Sequence, residues 1–239
     1  MELRLREIKK SFGTKDVLKG CTFTFEQGNI YGLLGRNGAG KTTLFNCLSN
    51  EIAMDQGEAT LIVDGVEGPL SSDDISYVLS EPVLPDFLTG YEFIKFIMDI
   101  HAERIATDRT VEDFLQLVKI SPDDWHRLIK TYSHGMKNKL QMLIFLITRP
   151  PVILLDEPLT SFDIVIAQEI KQLLRQIKTE HIIILSTHIL ELAVNLCDEI
   201  VILHDGVLSP IDKTMLASPS FEQELIERLK DSDEAVDRR

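Results

Sequence analysis

Residues 35–42 of this 239-residue chain decide its fold, and they read Gly35-Arg36-Asn37-Gly38-Ala39-Gly40-Lys41-Thr42. An apolar stretch, residues 30–34, precedes them, and a helical pattern begins at Lys41. The spacing Gly-x-x-x-x-Gly-Lys-Thr between a strand and a helix is the phosphate-loop pattern. The sequence therefore predicts a nucleotide-binding loop in an α/β fold.

The residue types in this loop fit the chemistry of a triphosphate. Glycines let the backbone curl so that successive N–H groups point inward at phosphate oxygens, and the helix N-terminus adds a partial positive charge. We expect Lys41 to reach the β- and γ-phosphates of ATP and Thr42 to offer its hydroxyl to Mg²⁺. The candidate nucleotide-binding residues of this segment are Gly35, Arg36, Asn37, Gly38, Ala39, Gly40, Lys41, Thr42 and Thr43.

Two acids and a histidine follow later apolar runs. Residues 152–155 are Val-Ile-Leu-Leu and lead into Asp156 and Glu157, and residues 182–186 lead to His188. A strand beside the phosphate-loop strand would bring Asp156 to the magnesium ion, and Glu157 would then face the γ-phosphate and polarise a water. His188 would lie at the same sheet edge. We predict that Glu157, His188 and Lys41 are catalytic, and that Thr42 and Asp156 bind the metal.

Composition limits the classes of partner. The net charge of −13 makes nucleic acid an unexpected ligand, because binding a polyanion needs a Lys/Arg surface. The three cysteines lie far apart without paired spacing, which argues against a disulfide framework or a zinc site and fits a reducing cytosol. No apolar stretch approaches the roughly 18 residues of a membrane span. A role at a membrane would therefore require another chain.

The order of apolar patterns predicts a sheet core with two additions. Alternating residues near the N-terminus indicate an antiparallel β subdomain, and continuous apolar runs indicate buried parallel strands. Residues from about 85 to 147 lack strand patterns, so we expect an inserted helical subdomain. The predicted ATP-binding domain covers residues 1–220, and residues 221–239 form an acidic C-terminal helix or tail. The predicted strands are residues 2–8, 22–26, 30–34, 60–63, 75–79, 152–156, 182–186 and 199–204.

Four elements occur in a fixed order: residues 35–42, the run Tyr132-Ser133-His134-Gly135-Met136, residues 154–158, and His188. This combination resembles the ATPase subunit of an ABC transporter, and the similarity extends from about residue 3 to residue 205. The resemblance implies a homodimer or heterodimer of ATPase subunits. It also implies a membrane-spanning permease partner, and a cytoplasmic location at the inner face of the membrane.

The resemblance assigns roles to further residues. It implies that Phe12 stacks on the adenine, and that Ser133 and Gly135 contact the γ-phosphate of ATP bound to the other subunit. It implies that His188 contacts the γ-phosphate of its own subunit. It also implies that residues 159–163, with Asp163 as their acid, cross the dimer interface.

Two positions depart from the family pattern. Ser80 stands where the family usually has a metal-reaching glutamine, and Tyr-Ser-His-Gly-Met replaces the usual Leu-Ser-Gly-Gly-Gln. The second variant resembles that of bacterial exporters of drugs, peptides and antibiotics, so we expect export.

The family also predicts a surface that docks on the permease. In ABC ATPase subunits, the loop after the strand at residues 75–79 and the helices that follow it contact the membrane subunit. We predict that Phe87, Leu88, Tyr91 and Phe93 give this region an apolar docking surface, with packing into the core as the alternative for some of them.

Two other functions stay open at this stage. One is a non-transport ATPase of the same family that acts on ribosomes or chromosomes, which the single cassette and the acidic charge disfavour. The other is an inactive nucleotide-binding regulator, which the serine at position 80 motivates. No residue identifies the transported substrate.

Overall fold

A computed structural model describes residues 1–102, 109–158 and 164–211. In chain order the main elements are β1 (Glu2–Phe12), β2 (Lys15–Glu26), β3 (Ile30–Leu34), α1 (Lys41–Leu48), β4 (Gln56–Val63), β5 (Val66–Pro69), β6 (Ile75–Val78), α2 (Gly90–Ile100), α3 (Val111–Leu117), α4 (His134–Thr148), β7 (Val152–Asp156), α5 (Ile164–Ile177), β8 (Ile182–Thr187), α6 (Leu190–Leu196), β9 (Glu199–His204) and β10 (Val207–Ile211).

The smaller sheet is antiparallel and has the order β2-β1-β4-β5. Its first two strands are longer than predicted, because pairing continues to Phe12 and Lys15 at the hairpin end. The register shifts between Leu5 and Ile8, and Glu7 there has a φ of 50°. Such a bulge interrupts the alternation of side chains, which is why the sequence pattern stops at Ile8 although the strand does not.

The larger sheet has the order β10-β9-β3-β8-β7-β6, with only β10 antiparallel to its neighbour. This arrangement confirms the predicted α/β class. The prediction that β7 lies directly beside β3 is wrong, because β8 lies between the two strands. Sheet order depends on how the crossover helices pack, and the residues of a single strand do not encode it. The sequence reading also missed the edge strands β5 and β10, which are short and each contain a proline.

The apolar residues of β7 pack into two hydrophobic cores, one on each face of the sheet. Val152 and Leu154 pack between the two sheets together with α1, and Ile153 and Leu155 pack on the opposite face against α4 and α5. A parallel strand covered on both faces needs apolar residues at every position. The apolar run ends at Asp156, a buried carboxylate at the carboxyl end of the sheet.

Helices α2, α3 and α4 share a core of their own. Capping boxes open α2 at Thr89 and α3 at Thr110. Phe93 is only 6% exposed and belongs to this core, so the predicted surface role of Phe93 is wrong. Phe96 and Ile100, further along the same helix, are exposed.

Several predicted features lie outside the described residues. These are residues 103–108 of the predicted helical insertion, residues 159–163 with Asp163, and the acidic segment 221–239. Within the described ranges, none of the helices combines the length and the hydropathy that a membrane span needs.

Candidate active site

The phosphate loop passes close to β2 and β9 at two of its glycines. Gly40 has a φ of 105°, and a Cβ there would lie 2.9 Å from a methyl group of Val17. A Cβ on Gly35 would lie 2.8 Å from the carbonyl oxygen of Leu203 in β9. Larger residues at either position would push the loop away from the sheet. As N-cap of α1, Gly40 also has no side chain that could accept from the first-turn N–H groups, which therefore suit a phosphate.

Lys41 is buried inside this loop. Its side chain is 6% exposed, and its ammonium donates to the carbonyl oxygens of Gly35 at 2.7 Å and Arg36 at 3.2 Å. Burial lowers the pKa of Lys41, and the negative charges of Glu157 and Asp156 oppose that shift. The ammonium is thus held in the loop among groups that a phosphate could replace.

Asp156, at the end of β7, accepts hydrogen bonds from three hydroxyl groups. It accepts from Thr42 Oγ1 at 3.0 Å, from the Tyr77 hydroxyl at 3.4 Å, and from Ser186 Oγ through a short hydrogen bond. Burial, followed by the charge of Asp156, raises the pKa of Tyr77 well above its usual range. Mg²⁺ prefers oxygen ligands and takes few from the protein when phosphates supply others. The adjacent carboxylate of Asp156 and hydroxyl of Thr42 fit that requirement.

The second acid contacts the predicted histidine. His188 Nδ1 lies 2.9 Å from Glu157 Oε1, and both side chains are partly exposed. Glu157 adopts a φ of 48°, which is uncommon for a residue other than glycine. Because of this sharp turn directly after β7, the side chains of Glu157 and Asp156 point in different directions. The two neighbouring carboxylates therefore face different partners.

A cleft of about 430 Å³ connects these groups to the end of β1. Phe12 lines the cleft with Lys15 and Val17, and its ring is 51% exposed. A half-exposed aromatic ring at the cleft mouth can stack on a flat base. Ser80 also lines the cleft, so the serine that replaces the usual glutamine faces the site.

Ser133 and Gly135 stand apart from this cleft. Ser133 is the exposed N-cap of α4, where its hydroxyl accepts from the N–H of Met136 at 3.2 Å. Within the described part of the chain, neither residue lines the cleft that holds Lys41. A role for them in nucleotide binding thus requires a second molecule.

Sequence reasoning missed two residues of the site, Tyr77 and Ser186. Both touch Asp156 from neighbouring strands, Tyr77 on β6 and Ser186 on β8. Ser186 leaves one signal in the sequence, a hydroxyl residue within the apolar run that leads to His188. Tyr77 leaves none, because a tyrosine in a half-buried strand is ordinary.

Comparison with known proteins gives a consistent result. A family model described as "ABC transporter" matches residues 18–160. An uncharacterized ABC transporter ATP-binding protein of Nostoc is 32% identical over 80% of this chain, and the match spans only 58% of that relative's length. The lantibiotic transport ATP-binding protein SrtF of Streptococcus pyogenes is 30% identical, with 85% of this chain and 87% of the relative covered.

Solved structures share the fold. One, titled as the ATP-binding subunit of an ABC transporter, has a TM-score of 0.80 at 23% identity and covers 96% of this chain and 100% of that chain. Another is a dimeric, post-hydrolysis ATP-binding cassette bound to ADP and phosphate. It has a TM-score of 0.72 at 18% identity and covers 88% of this chain and 99% of that chain. At these identities the likeness concerns architecture alone.

Proposed function

Because the chain belongs to the ABC transporter family and matches its ATP-binding subunits, we propose that it binds and hydrolyses ATP to drive a separate membrane-spanning permease. One observation carries the proposal. Thr42 in the phosphate loop contacts Asp156 at 3.0 Å, and the next residue, Glu157, contacts His188 at 2.9 Å. Phosphate-binding, metal-binding and proton-accepting groups therefore meet at one sheet edge.

Each group has a chemical task in this proposal. Lys41 exchanges its two carbonyl partners for phosphate oxygens. Thr42 and Asp156 hold Mg²⁺, which supplies charge neutralisation on the phosphates when bound. Glu157 accepts a proton from the attacking water, and His188 holds the Glu157 carboxylate in position and contacts the γ-phosphate.

The site is completed by a second subunit in this proposal. Ser133 and Gly135 lie outside the cleft of their own chain, so they are available to the nucleotide of a partner. The dimeric ATP-binding cassette of the same fold supports this arrangement. Two copies, or this chain and a relative, close around two ATP molecules, and hydrolysis reopens them. The closed and open ATPase dimers bind different conformations of the permease with different affinities. ATP binding and hydrolysis therefore shift the permease from one conformation to the other.

Substitution of Glu157 tests the hydrolytic role. Loss of a general base lowers a rate by about 100- to 10,000-fold, so Glu157→Gln should release phosphate far more slowly than wild type. Glu26→Gln, an exposed glutamate at the far end of β2, should leave the rate unchanged. Equal rates for wild type and Glu157→Gln would refute the hydrolytic mechanism.

The same variant tests assembly. With ATP bound and hydrolysis blocked, Glu157→Gln should give a dimer in light scattering, and a further Ser133→Ala change should weaken that dimer. A chain that stays monomeric at saturating ATP would rule out a homodimer. The heterodimer would then be tested with the family relative encoded nearest to this chain.

The permease contact is proposed at the exposed apolar side chains near α2. Val83 and Phe87 are 79% and 78% exposed, and Phe96 and Ile100 are 53% and 56% exposed. Four large apolar side chains exposed within residues 83–100 favour an interaction surface in this region. Phe87→Asp should abolish co-purification with the permease from detergent-solubilised membranes and leave the hydrolysis rate of the isolated chain intact. Recovery of nucleic acid in place of a membrane protein would refute the transport role.

Export is the direction we propose. The run Tyr132–Met136 resembles that of drug and peptide exporters, and the similar SrtF protein is described as a lantibiotic transporter component. Inverted membrane vesicles that contain the permease and this chain should accumulate the transported compound when ATP is supplied outside. Uptake that depends on the opposite orientation would refute export.

Ser80 favours a second candidate, a nucleotide-binding regulator without hydrolysis. It lines the cleft with a side chain too short to reach as far as a glutamine. Tight ATP binding without measurable phosphate release from wild type would establish this alternative. Hydrolysis restored by Ser80→Gln would then identify the missing group.

A further inference from the structure

Ser186 is a fully buried hydroxyl for which the proposed mechanism gives no role. It precedes the last residue of β8, has no exposed surface, and follows four buried aliphatic residues. A hydroxyl in such surroundings is costly unless it is hydrogen-bonded. Its partners therefore indicate what it does.

Those partners are the two acids of the site. Ser186 Oγ donates to Asp156 Oδ1 in a short hydrogen bond and accepts from the backbone N–H of Glu157 at 3.1 Å. The carbonyl oxygen of Ser186 also accepts from that N–H at 3.2 Å. These contacts follow from the parallel register, in which Asp156 and Ser186 are direct partners. One residue thus contacts the side chain of the first acid and the backbone of the second.

The bond to Asp156 also gives its two carboxylate oxygens different partners. Ser186 donates to Oδ1, whereas Thr42 and Tyr77 donate to Oδ2. Because Thr42 belongs to the phosphate loop, Oδ2 is the oxygen that would hold a nucleotide-bound cation. Ser186 thereby keeps the carboxylate from rotating away from the loop.

The bonds to Glu157 stabilise an unfavourable turn. At a φ of 48° the backbone of Glu157 is in the left-handed region, where residues with a side chain persist only when their surroundings hold them. Both acceptors on Ser186 hold the N–H of this residue. In that conformation the Glu157 carboxylate reaches His188.

We propose that Ser186 is a positioning residue that fixes Asp156 and the turn at Glu157 as one unit, so that the metal-binding and water-activating carboxylates keep a constant relation. The inference rests on the proposed function and adds to it. Because Ser186 is fully buried, it acts through the two acids that it contacts.

The test compares Ser186→Ala with a matched buried serine. Ser76 is also buried, lies on β6 and pairs with Ile153, so Ser76→Ala controls for the loss of a buried hydroxyl in the same sheet. Loss of a hydrogen bond to a charged group should lower kcat roughly 10- to 100-fold in Ser186→Ala. The Kd for Mn²⁺ on the ATP-bound chain, followed by electron paramagnetic resonance, should rise by about threefold or more. The Kd for ATP in EDTA should stay within about twofold of wild type.

Ser186→Cys keeps a small weak donor and should fall between wild type and Ser186→Ala in kcat and in Mn²⁺ affinity. It also carries the test if Ser186→Ala does not fold. Wild-type values of kcat and of the Mn²⁺ Kd in Ser186→Ala would overturn the proposal. A parallel loss of ATP affinity in EDTA, or equal losses in Ser76→Ala, would also overturn it, because each indicates a general defect of the sheet.

Failure of the proposed function gives a different pattern. If wild type binds ATP without hydrolysing it, the hydrolytic role is lost. The Mn²⁺ affinity of Ser186→Ala still reports then whether Ser186 orients Asp156.

Discussion

Removal of the Phe12 ring should weaken ATP binding and leave folding almost unchanged. Phe12 ends β1, lines the cleft and is 51% exposed, with the ammonium of Lys10 at 5.5 Å from the ring centre. Stacking of a base on an aromatic side chain contributes about 1–3 kcal/mol by alanine substitution. At 1.4 kcal/mol per tenfold change, Phe12→Ala should raise the Kd for ATP by about 5- to 150-fold.

Isothermal titration calorimetry in EDTA measures this effect without hydrolysis. ATP should bind more weakly to Phe12→Ala, whereas inorganic tripolyphosphate should bind with the wild-type Kd, because it meets the phosphate loop but has no base. Phe12→Trp should retain ATP affinity. Phe87→Ala, which removes another exposed phenylalanine outside the cleft, should match wild type for both ligands.

Two results would refute the reasoning. An unchanged Kd for ATP would mean that the base lies elsewhere. An equal loss of affinity for ATP and tripolyphosphate would mean that the substitution distorts the loop. Thermal unfolding separates this distortion from a global effect, since a half-exposed residue of this kind should change stability by less than about 0.5 kcal/mol.

Three further substitutions have defined outcomes. Lys41→Met should weaken ATP binding at least about tenfold through loss of charged hydrogen bonds, while the nucleotide-free chain, relieved of a buried charge, should melt no lower than wild type. A Cβ on Gly90 would overlap the Tyr132 hydroxyl, so Gly90→Ala should cost about 1–3 kcal/mol in chemical denaturation, and adding Tyr132→Phe should recover part of it. Burial lowers the pKa of His181 below its ordinary 6.5. Below about pH 6.5 the unfolded chain therefore protonates His181 more readily than the folded chain does. The free energy of unfolding should accordingly fall as the pH drops through about 6.5. His181→Gln should flatten that slope in Tm measurements, and His126→Gln, at an exposed position, should not.

Most strands and helices could be predicted because their patterns are local. The run at residues 152–155 is apolar at every position since both faces of β7 are covered. The start of α2 follows from Thr89 and Glu92, which bond each other within one turn. The misses have non-local causes, as at the bulge beside Glu7, where the periodicity breaks although pairing continues.

The predicted site residues fall into two groups. Thr42, Asp156, Glu157 and His188 come together at one sheet edge, since the carboxyl ends of parallel strands converge there. Ser133 lies in the helical layer away from the cleft, and its role depends on a second chain that one sequence cannot position. Phe93 was misassigned because the sequence pattern identifies an amphipathic helix but does not show which of its apolar residues pack against α3 and α4.

The sequence alone determined the phosphate loop, because glycine backbone freedom, a lysine and a threonine at fixed spacing are properties of eight consecutive residues. It also determined which residues carry charge at the ends of buried strands. The tertiary structure alone decided that β8 separates β3 from β7, and hence that Ser186 lies against both acids. Sheet order arises from the packing of helices and strands far apart in the chain, so no local pattern records it.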